Sequence, residues 1–413
     1  MTQRVVITGL GLITPAGTDP EESWSQLKAG KSGIDHIERF DTSDFDITFG
    51  GEVNAFDPEA YIDQRKVKRL DRFVQFGIAG ADQALDDAGF PDGENLNPER
   101  SGVVIGSGIG GLKEIETQHW RMFEKGPSRV SPFFIPKLMM NAAPGQISMH
   151  FGLEGPNYSV SSACSSANHA IGNAYSHLRD GEADVMITGG VEAALTPSCL
   201  AGFSALKALS KRNDEPKKAS RPFDKNRDGF VLSEGAGVLL METLEHAQER
   251  DASIYAEVLG FGATADAHHI TAPEPEGKGA RKSINLALDD QETEKDRVTY
   301  VNAHGTSTEL NDKMETQALH DVFGDHAHQL CISSTKSMIG HSLGAAAGIE
   351  AVVTALSIDE GVVHPTINQE EPDPDCDLDY VPEESREVDI DVALSNSFGF
   401  GGHNSCLALG KLD

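Results

Sequence analysis

A cysteine, two histidines and a lysine stand in short segments rich in Gly, Ser and Thr: Cys164 in SSACSSA, His304 in NAHGTST, and Lys336 and His341 in SSTKSMIGH. A cysteine thiolate is a strong nucleophile, and imidazoles beside it can take up or donate protons. One such residue alone is more often an ordinary core residue. Because all four follow predicted strands at turns into helices, we predict a single site for covalent catalysis through Cys164.

The segment around Cys164 is predicted to be buried. No charged side chain occurs from Gly155 to Leu178, whereas charged residues make up 24% of the whole chain. A helix near 163–178 would place Ala167, Ile171 and Tyr175 on one face with Cys164 in its first turn. There the positive end of the helix dipole is expected to lower the pKa of the thiol.

Two more segments almost lack charge. Val392–Gly410 has no charged residue, and Ser342–Ile358 has only Glu350. A carboxylate in a helix that is apolar all round must be paired with a cation. The sequence therefore predicts a buried ionic contact at Glu350.

The elements that would position these residues alternate between strands and helices, which predicts an α/β fold. Strands are expected at 5–8, 103–106, 185–188, 238–241, 255–259, 299–303, 331–334 and 392–395, and helices near 72–88, 163–178, 278–289 and 343–358. The pattern of 158–190 recurs weakly in 330–363, so we expect two similar halves, residues 1–253 and 254–413.

The charge balance excludes several partners. The chain has 34 Lys and Arg against 65 Asp and Glu, a net charge of −31. Nucleic acid and anionic membrane surfaces are therefore disfavoured. The acids are scattered, which is more typical of a salt-adapted surface than of an acidic binding tail. Residues 65–72, RKVKRLDR, are the exception, and either an anionic partner or a solvated helix start accounts for them.

Other features bear on location and cofactors. No apolar run is long enough for a membrane span, and the first residues read as a strand, not a secretion signal. The five cysteines are odd in number and never in a CxxC pair, so we expect neither disulfides nor a zinc site, and a cytoplasmic protein.

Two motifs imitate known binding loops. Gly9–Thr14 and Gly106–Gly111 resemble dinucleotide loops but lack the required context, and Asp224–Gly229 resembles a calcium loop that has Gly235 where a Glu is needed. We interpret all three as turns.

The ordered motifs closely resemble those of the 3-oxoacyl-[acyl-carrier-protein] synthases, the condensing enzymes of fatty acid synthesis. The resemblance runs from VVITGLGLITPAG through RPFDKNRDGFVLSEGAG to SNSFGFGGHNS. The elongating synthase II subgroup fits best by length and by Ile109.

This resemblance implies a thiolase-like fold, with two duplicated α/β halves in five α-β-α-β-α layers, and a homodimer. It implies that Cys164 carries the acyl chain, with its oxyanion held by the N–H groups of Cys164 and Phe400. His304 and His341 would hold the malonyl thioester oxygen while CO2 leaves, and Lys336 would orient them. No metal or organic cofactor is implied for the chemistry.

Further roles follow only from the resemblance. Thr306 and Thr308 would bind the pantetheine arm, Ile109 the acyl chain, and Phe398 and Phe400 would form a gate. Acyl carrier protein would dock on Arg65, Lys68, Arg69 and Lys207. A structural cation would lie at Asn302, Glu315, Glu350, Ser395 and Asn396. His403 replaces the Thr of many relatives, which bears on the gate.

Three alternatives are compatible with parts of the pattern. A polyketide ketosynthase shares every catalytic residue. A non-catalytic chain-length factor lacks the nucleophile, which Cys164 contradicts. A degradative thiolase uses a second cysteine near the C-terminus, where Cys406 lies, but the GFGG turn does not match.

Overall fold

The computed structural model describes residues 2–412 of the 413-residue chain. Its strands are β1 (Val5–Ile13), β2 (Asp35–His36), β3 (Phe49–Gly50), β4 (Ser101–Gly106), β5 (Asn157–Val160), β6 (Val185–Glu192), β7 (Gly235–Thr243), β8 (Ala256–Ala265), β9 (Val298–Asn302), β10 (Cys331–Ser333), β11 (Val362–Val363), β12 (Arg386–Glu387), β13 (Val392–Gly399) and β14 (His403–Gly410).

Thirteen α-helices lie among these strands in residues 2–412. They are α1 (Pro20–Lys28), α2 (Gln64–Val67), α3 (Arg72–Asp87), α4 (Leu112–Lys125), α5 (Phe134–Leu138), α6 (Ala142–Phe151), α7 (Ser166–Arg179), α8 (Pro197–Ala205), α9 (Leu244–Glu249), α10 (Lys278–Asp289), α11 (Glu309–Phe323), α12 (Lys336–Ile339) and α13 (Ala346–Glu360). None of these helices is long and apolar enough to cross a membrane within residues 2–412.

The main sheet has ten strands in the order β10-β9-β13-β14-β8-β1-β7-β6-β4-β5. Its two halves have the same layout. In one, β4 pairs in parallel with β5 and β6, and β7 runs antiparallel between β6 and β1. In the other, β9 pairs in parallel with β10 and β13, and β14 runs antiparallel between β13 and β8. A short antiparallel pairing of β1 with β8 joins them.

The helices form layers on this sheet. Helix α3 packs on β1 and β7, and α10 packs on β8 and β14. Helices α7 and α13 contact each other and strands of both halves, so they form the central layer. Every residue of α13 from Ala346 to Ile358 is buried, as its lack of charge predicts.

Glycines let α13 approach the sheet closely. A Cβ on Gly237 of β7 would lie 2.1 Å from the backbone nitrogen of Ile349, and one on Gly348 would lie 2.7 Å from that of Gly190. Only backbone without side chains fits this contact. It fixes the start of α13, and with it the preceding loop that holds His341.

The duplication is real, but its repeat differs from the one expected. The unit β5-α7-β6 corresponds to β10-α13-β13, whereas residues 362–363 form β11, which pairs with β12 in a separate small sheet. The calcium-like loop is a turn, and its first residue is buried: the Asp224 carboxylate accepts hydrogen bonds from the N–H groups of Asn226, Glu370 and Glu371.

Candidate active site

A cavity of about 440 Å³ lies where the two halves of the sheet meet. The first half contributes Cys164 and Ile109 to its walls. The second contributes the four residues His304, His341, Phe398 and Phe400, together with Thr306 and Thr308. The structure thus brings the nucleophile candidate and both histidines to one place, from segments far apart in the chain.

Cys164 lies on a tight turn between β5 and α7. Ala163 before it has φ of +52°, a strained value for a residue with a side chain. Helix α7 begins at Ser166, so Cys164 precedes the helix and is not in its first turn. The second half holds this turn, because Ser397 Oγ donates to the Cys164 carbonyl at 3.0 Å and Ser165 Oγ donates to the Ser397 and His403 carbonyls.

The expectation of a lowered thiol pKa is wrong. Burial raises the pKa of Cys164 to about 11, because the thiolate would be desolvated. Lys336 and the backbone N–H groups of Phe400 and Cys164 oppose this rise. Those two N–H groups therefore point at the sulfur, where they could also hold an oxyanion.

The two histidines face the thiol. His341 Nε2 lies 3.0 Å from Cys164 Sγ, and the rings of His304 and His341 meet edge to face with centroids 5.5 Å apart. Burial, followed by the charge of Lys336, holds the pKa of both well below the usual value of 6.5. Both are therefore neutral at pH 7 and can accept a proton at one nitrogen while donating from the other.

A carboxylate fixes the turn that carries His304. Glu315 of α11 accepts hydrogen bonds from the backbone N–H groups of His304 and Gly305, each at 2.8 Å. Glu315 is fully buried, and its burial raises its pKa to about 7. The turn after β9 thus has a defined position relative to α11.

Lys336 is a buried ammonium that reaches Glu350. The two side chains form an ion pair with almost no solvent exposure, which confirms the predicted ionic contact. Burial raises the pKa of Glu350 to about 7, and the ammonium opposes that rise. Lys336 does not touch Cys164, so its influence on the thiol and histidines is electrostatic.

Several buried oxygens near this pair have no hydrogen-bond partner among residues 2–412: Glu350 Oε2, Ser395 Oγ and Asn396 Oδ1. Asn302 lies beside Ser395 across the β9–β13 ladder, and Asn396 donates to Glu315 at 3.2 Å. Glu315 and Glu350 are close enough for the charge of Glu315 to raise the pKa of Glu350. Unpartnered carboxylate, hydroxyl and amide oxygens suit a hard cation.

The cavity mouth combines polar and apolar groups. The hydroxyl groups of Thr306 and Thr308 form a hydrogen bond of 2.9 Å, and the exposed Lys207 lies on the rim. The loop carrying Phe400 is held by hydrogen bonds from Gly401 N to Ile270 O and from Asp266 N to Gly402 O. His403, next in the chain, is exposed, and its ring lies 6.5 Å from that of His169.

The basic segment is smaller than the sequence indicated. Arg65, Lys68 and Arg69 are exposed and form no ion pair with any residue from 2 to 412. Arg72, in contrast, is tied to Glu234 at 3.0 Å and to the Val53 carbonyl. We call Arg65, Lys68 and Arg69 the basic strip.

One carboxylate at the site, that of Glu192, is not among the residues predicted from the sequence. Glu192 ends β6 and is fully buried against the loop of Gly108 and Ile109. Its position in the run VMITGGVEAA, directly after an apolar strand, was the available signal.

The chain matches a known protein family over both of its halves. Residues 2–247 match the beta-ketoacyl synthase N-terminal domain, and residues 255–370 match the corresponding C-terminal domain. The chain is 52% identical to 3-oxoacyl-[acyl-carrier-protein] synthase 2 of Synechocystis sp. over 99% of this chain and 98% of that one. It is 49% identical to the enzyme of that name from Coxiella burnetii, over 99% of each chain.

Solved structures agree with the fold. The ishigamide ketosynthase/chain length factor superposes with a TM-score of 0.94 at 36% identity over the full length of both chains. A ketosynthase in complex with its type II polyketide acyl carrier protein gives 0.92 at 34% identity, again over 100% of each chain. The expected thiolase-like fold is confirmed.

Proposed function

The chain belongs to the beta-ketoacyl synthase family, and from that premise we propose that it condenses an acyl chain, held on Cys164, with malonyl-acyl carrier protein. The products are 3-oxoacyl-acyl carrier protein and CO2, as in the elongation step of fatty acid synthesis. The observation that carries the proposal is the contact of His341 Nε2 with Cys164 Sγ at 3.0 Å, beside His304. The identity of about half of all residues to synthases of this name favours it over a polyketide ketosynthase.

The first half-reaction loads the acyl chain. The Cys164 sulfur attacks the thioester carbonyl of the acyl carrier while its proton passes to His341 Nε2. The N–H groups of Cys164 and Phe400, which point at the sulfur, stabilise the oxyanion. The pantetheine thiolate leaves and receives the proton from His341, so the histidine is neutral again.

The second half-reaction forms the carbon–carbon bond. The malonyl carboxylate leaves as CO2, and its bonding electron pair becomes an enolate whose oxygen accepts hydrogen bonds from His304 and His341. The enolate carbon attacks the acyl-Cys164 carbonyl, the carbon–sulfur bond breaks, and the thiolate takes up a proton from water. Decarboxylation itself supplies the nucleophile, so no organic cofactor takes part.

The decisive experiment separates acyl transfer from malonyl decarboxylation. Cys164→Ala should abolish acyl transfer, because the sulfur is the only attachment point, and should retain malonyl decarboxylation, because both histidines remain. The measurements are transfer of a labelled acyl group to the protein and release of labelled CO2. Condensation by Cys164→Ala would contradict the assignment, and Cys199→Ala, which removes a buried cysteine outside the cavity walls, serves as the control.

Carrier recognition and the gate belong to the same proposal. The basic strip and Lys207 would dock the acidic carrier protein, Thr306 and Thr308 would hydrogen-bond its pantetheine arm, and Ile109 would contact the acyl chain. Phe398 and Phe400 would gate the cavity, supported by positive φ values of +87° and +73° at Gly401 and Gly402, which allow a sharply turned loop.

A structural cation would be held by the five residues Asn302, Glu315, Glu350, Ser395 and Asn396. Support comes from the unpartnered oxygens of three of them and from two buried carboxylates, of which only Glu350 is paired with an ammonium, that of Lys336. The cation would offset that excess negative charge and fix the turn of His304.

We propose a homodimer built on the outer edge of β5. Within residues 2–412 this strand pairs only with β4, and the segment before it exposes a group of large apolar side chains: Trp120, Phe123, Phe133, Ile135, Met139 and Met149. An open strand edge beside apolar surface fits a second copy of the chain. The cytoplasm is the proposed location, supported by five free cysteines.

A further inference from the structure

The carboxylate of Glu192 is buried and has no positively charged side chain as a partner among the described residues. It stands at the end of β6 with no solvent exposure, and it forms no ion pair with any residue from 2 to 412. Ionised carboxylates are rarely buried in this way, because desolvation costs much more than one hydrogen bond returns. Such a group needs a set of donors arranged around it.

The donors come from two separate loops. Glu192 Oε2 accepts from Gly108 N at 2.7 Å and from Gly344 N at 3.2 Å. Glu192 Oε1 accepts from Gly110 N and Ser107 Oγ, both at 3.2 Å. Successive backbone N–H groups of a turn form a concave acceptor site, and here the acceptor is a side chain of the protein itself, although burial raises the pKa of Glu192 to about 7.

Both loops form cavity walls. Gly108, Ile109 and Leu343 line the cavity, whereas Glu192 does not, so the carboxylate lies behind the wall. Gly344 comes three residues after His341, whose nitrogen contacts Cys164. The packing leaves no slack, since a Cβ on Gly344 would lie 2.2 Å from Gly108 N and 2.7 Å from Glu192 Oε2.

We propose that Glu192 is a positioning residue that holds the Ile109 wall back from the cavity and thereby sets the length of acyl chain that reaches Cys164. The inference rests on the proposed function for its substrate class. If the carboxylate is lost, the N–H groups of Gly108, Ile109 and Gly344 lose their acceptor, and that of Gly110 keeps only Ser107 Oγ, at 3.2 Å. These N–H groups must then turn toward water in the cavity, and the Ile109 wall moves with them. The cavity becomes shorter, so it excludes long acyl chains more than short ones.

The test measures the cavity without requiring catalysis. The rate of Cys164 alkylation by short-chain and long-chain N-alkyl iodoacetamides is followed by mass spectrometry of the cysteine peptides. In Glu192→Gln the amide nitrogen cannot accept a hydrogen bond, and we expect the long-to-short rate ratio to fall about tenfold. Ser107→Ala, which removes one donor and leaves the carboxylate, should lower the ratio by about twofold to threefold.

The matched control is Glu242→Gln. Glu242 is also a buried carboxylate at the end of a central strand, but it bonds Thr8, His246 and Arg250, none of which lines the cavity. It should lower the melting temperature and leave the rate ratio unchanged. An unchanged ratio in folded Glu192→Gln and Ser107→Ala, or an equal change in Glu242→Gln, would overturn the proposal. Failure of the wild type to condense acyl carriers would instead refute the proposed function, since alkylation needs neither carrier nor malonyl group.

Discussion

At the scale of single residues, the thiol and both histidines start the reaction uncharged. Burial raises the pKa of Cys164 to about 11 and lowers that of His304 and His341. A neutral thiol beside a neutral imidazole requires proton transfer during attack, not before it. The site therefore avoids a permanently buried thiolate, and Lys336, paired with Glu350, assists without contact.

The uncharged state of the Cys164 thiol predicts how its reactivity depends on pH. Below a pKa of about 11, the thiolate fraction rises about tenfold for each pH unit. The rate of Cys164 alkylation by iodoacetamide should thus keep rising from pH 6 to pH 9, about tenfold for each unit. Stopped samples digested for mass spectrometry give the rate at Cys164 separately from the other cysteines.

A plateau near pH 7 would contradict this prediction and indicate a preformed thiolate. His341→Ala is the informative variant, because it removes the proton acceptor at 3.0 Å while Cys164 itself remains. It should slow acyl transfer from a thioester more than it slows alkylation.

At the scale of elements, the absence of charge was the best guide. It located α7 and α13, and periodicity gave α10 its observed bounds, Lys278–Asp289. The sequence pattern could not reveal β14, because its first residues are His403, Asn404 and Ser405, and pairing on both sides with β8 and β13 decides the strand.

Interactions between distant segments explain the remaining differences. The raised pKa of Cys164 depends on how deeply the thiol is buried. Arg72 does not belong to the basic strip, because Glu234, far away in the sequence, binds it. The surroundings of Glu192 likewise depend on a distant residue, because Gly344 N donates a hydrogen bond to its carboxylate. No local pattern contains such contacts, whereas Cys164, His304, Lys336 and His341 were identified by their own short segments.

The basic strip allows a test of carrier docking. Changing Arg65, Lys68 and Arg69 together to Glu should raise KM for carrier-bound substrates at least tenfold at low salt, because it reverses the attraction to an acidic partner. Steady-state kinetics with acyl carrier protein and with a small thioester analogue provide the comparison, and the analogue should show little change.

The control places the same charge change on exposed Lys31, Lys211 and Lys282. Those substitutions make the net charge equally negative but leave the strip intact. Equal effects of both triple variants, or equal effects on both substrates, would remove the docking role.

At the scale of the whole molecule, the open edge of β5 predicts assembly. Phe123→Asp should convert a dimer to a monomer, because the Phe123 side chain is 79% exposed in one chain and an apolar interface cannot bury the added carboxylate without a large cost. Size-exclusion chromatography with light scattering measures the mass.

Leu286→Asp is the matched control, since Leu286 is 39% exposed on α10, a helix of the second half that packs on β8 and β14. It should leave the mass unchanged. A wild-type protein that is monomeric at micromolar concentration would contradict the proposed homodimer.

The net charge of −31 predicts a second property of the whole molecule. Like charges repel one another in the compact state, and salt screens this repulsion over about 8–10 Å. The melting temperature should therefore rise by several degrees as NaCl increases from low to molar concentration. A melting temperature that falls or stays level would remove the interpretation of a salt-adapted surface, and an equal series in a neutral osmolyte controls for effects other than charge.

The strand order also determines when the protein can become active during its synthesis. Strands β13 and β14 follow all the others in the chain, yet they lie in the interior of their half of the sheet, between β9 and β8. A nascent chain that has not reached residue 392 has the β9–β10 pair there without a connection to β8, and no Phe398 or Phe400 to complete the cavity. The first half can fold on the ribosome with an accessible thiol, but the second half must wait. Acyl transfer should thus begin only after translation has passed β14, which protects a growing chain from premature acylation.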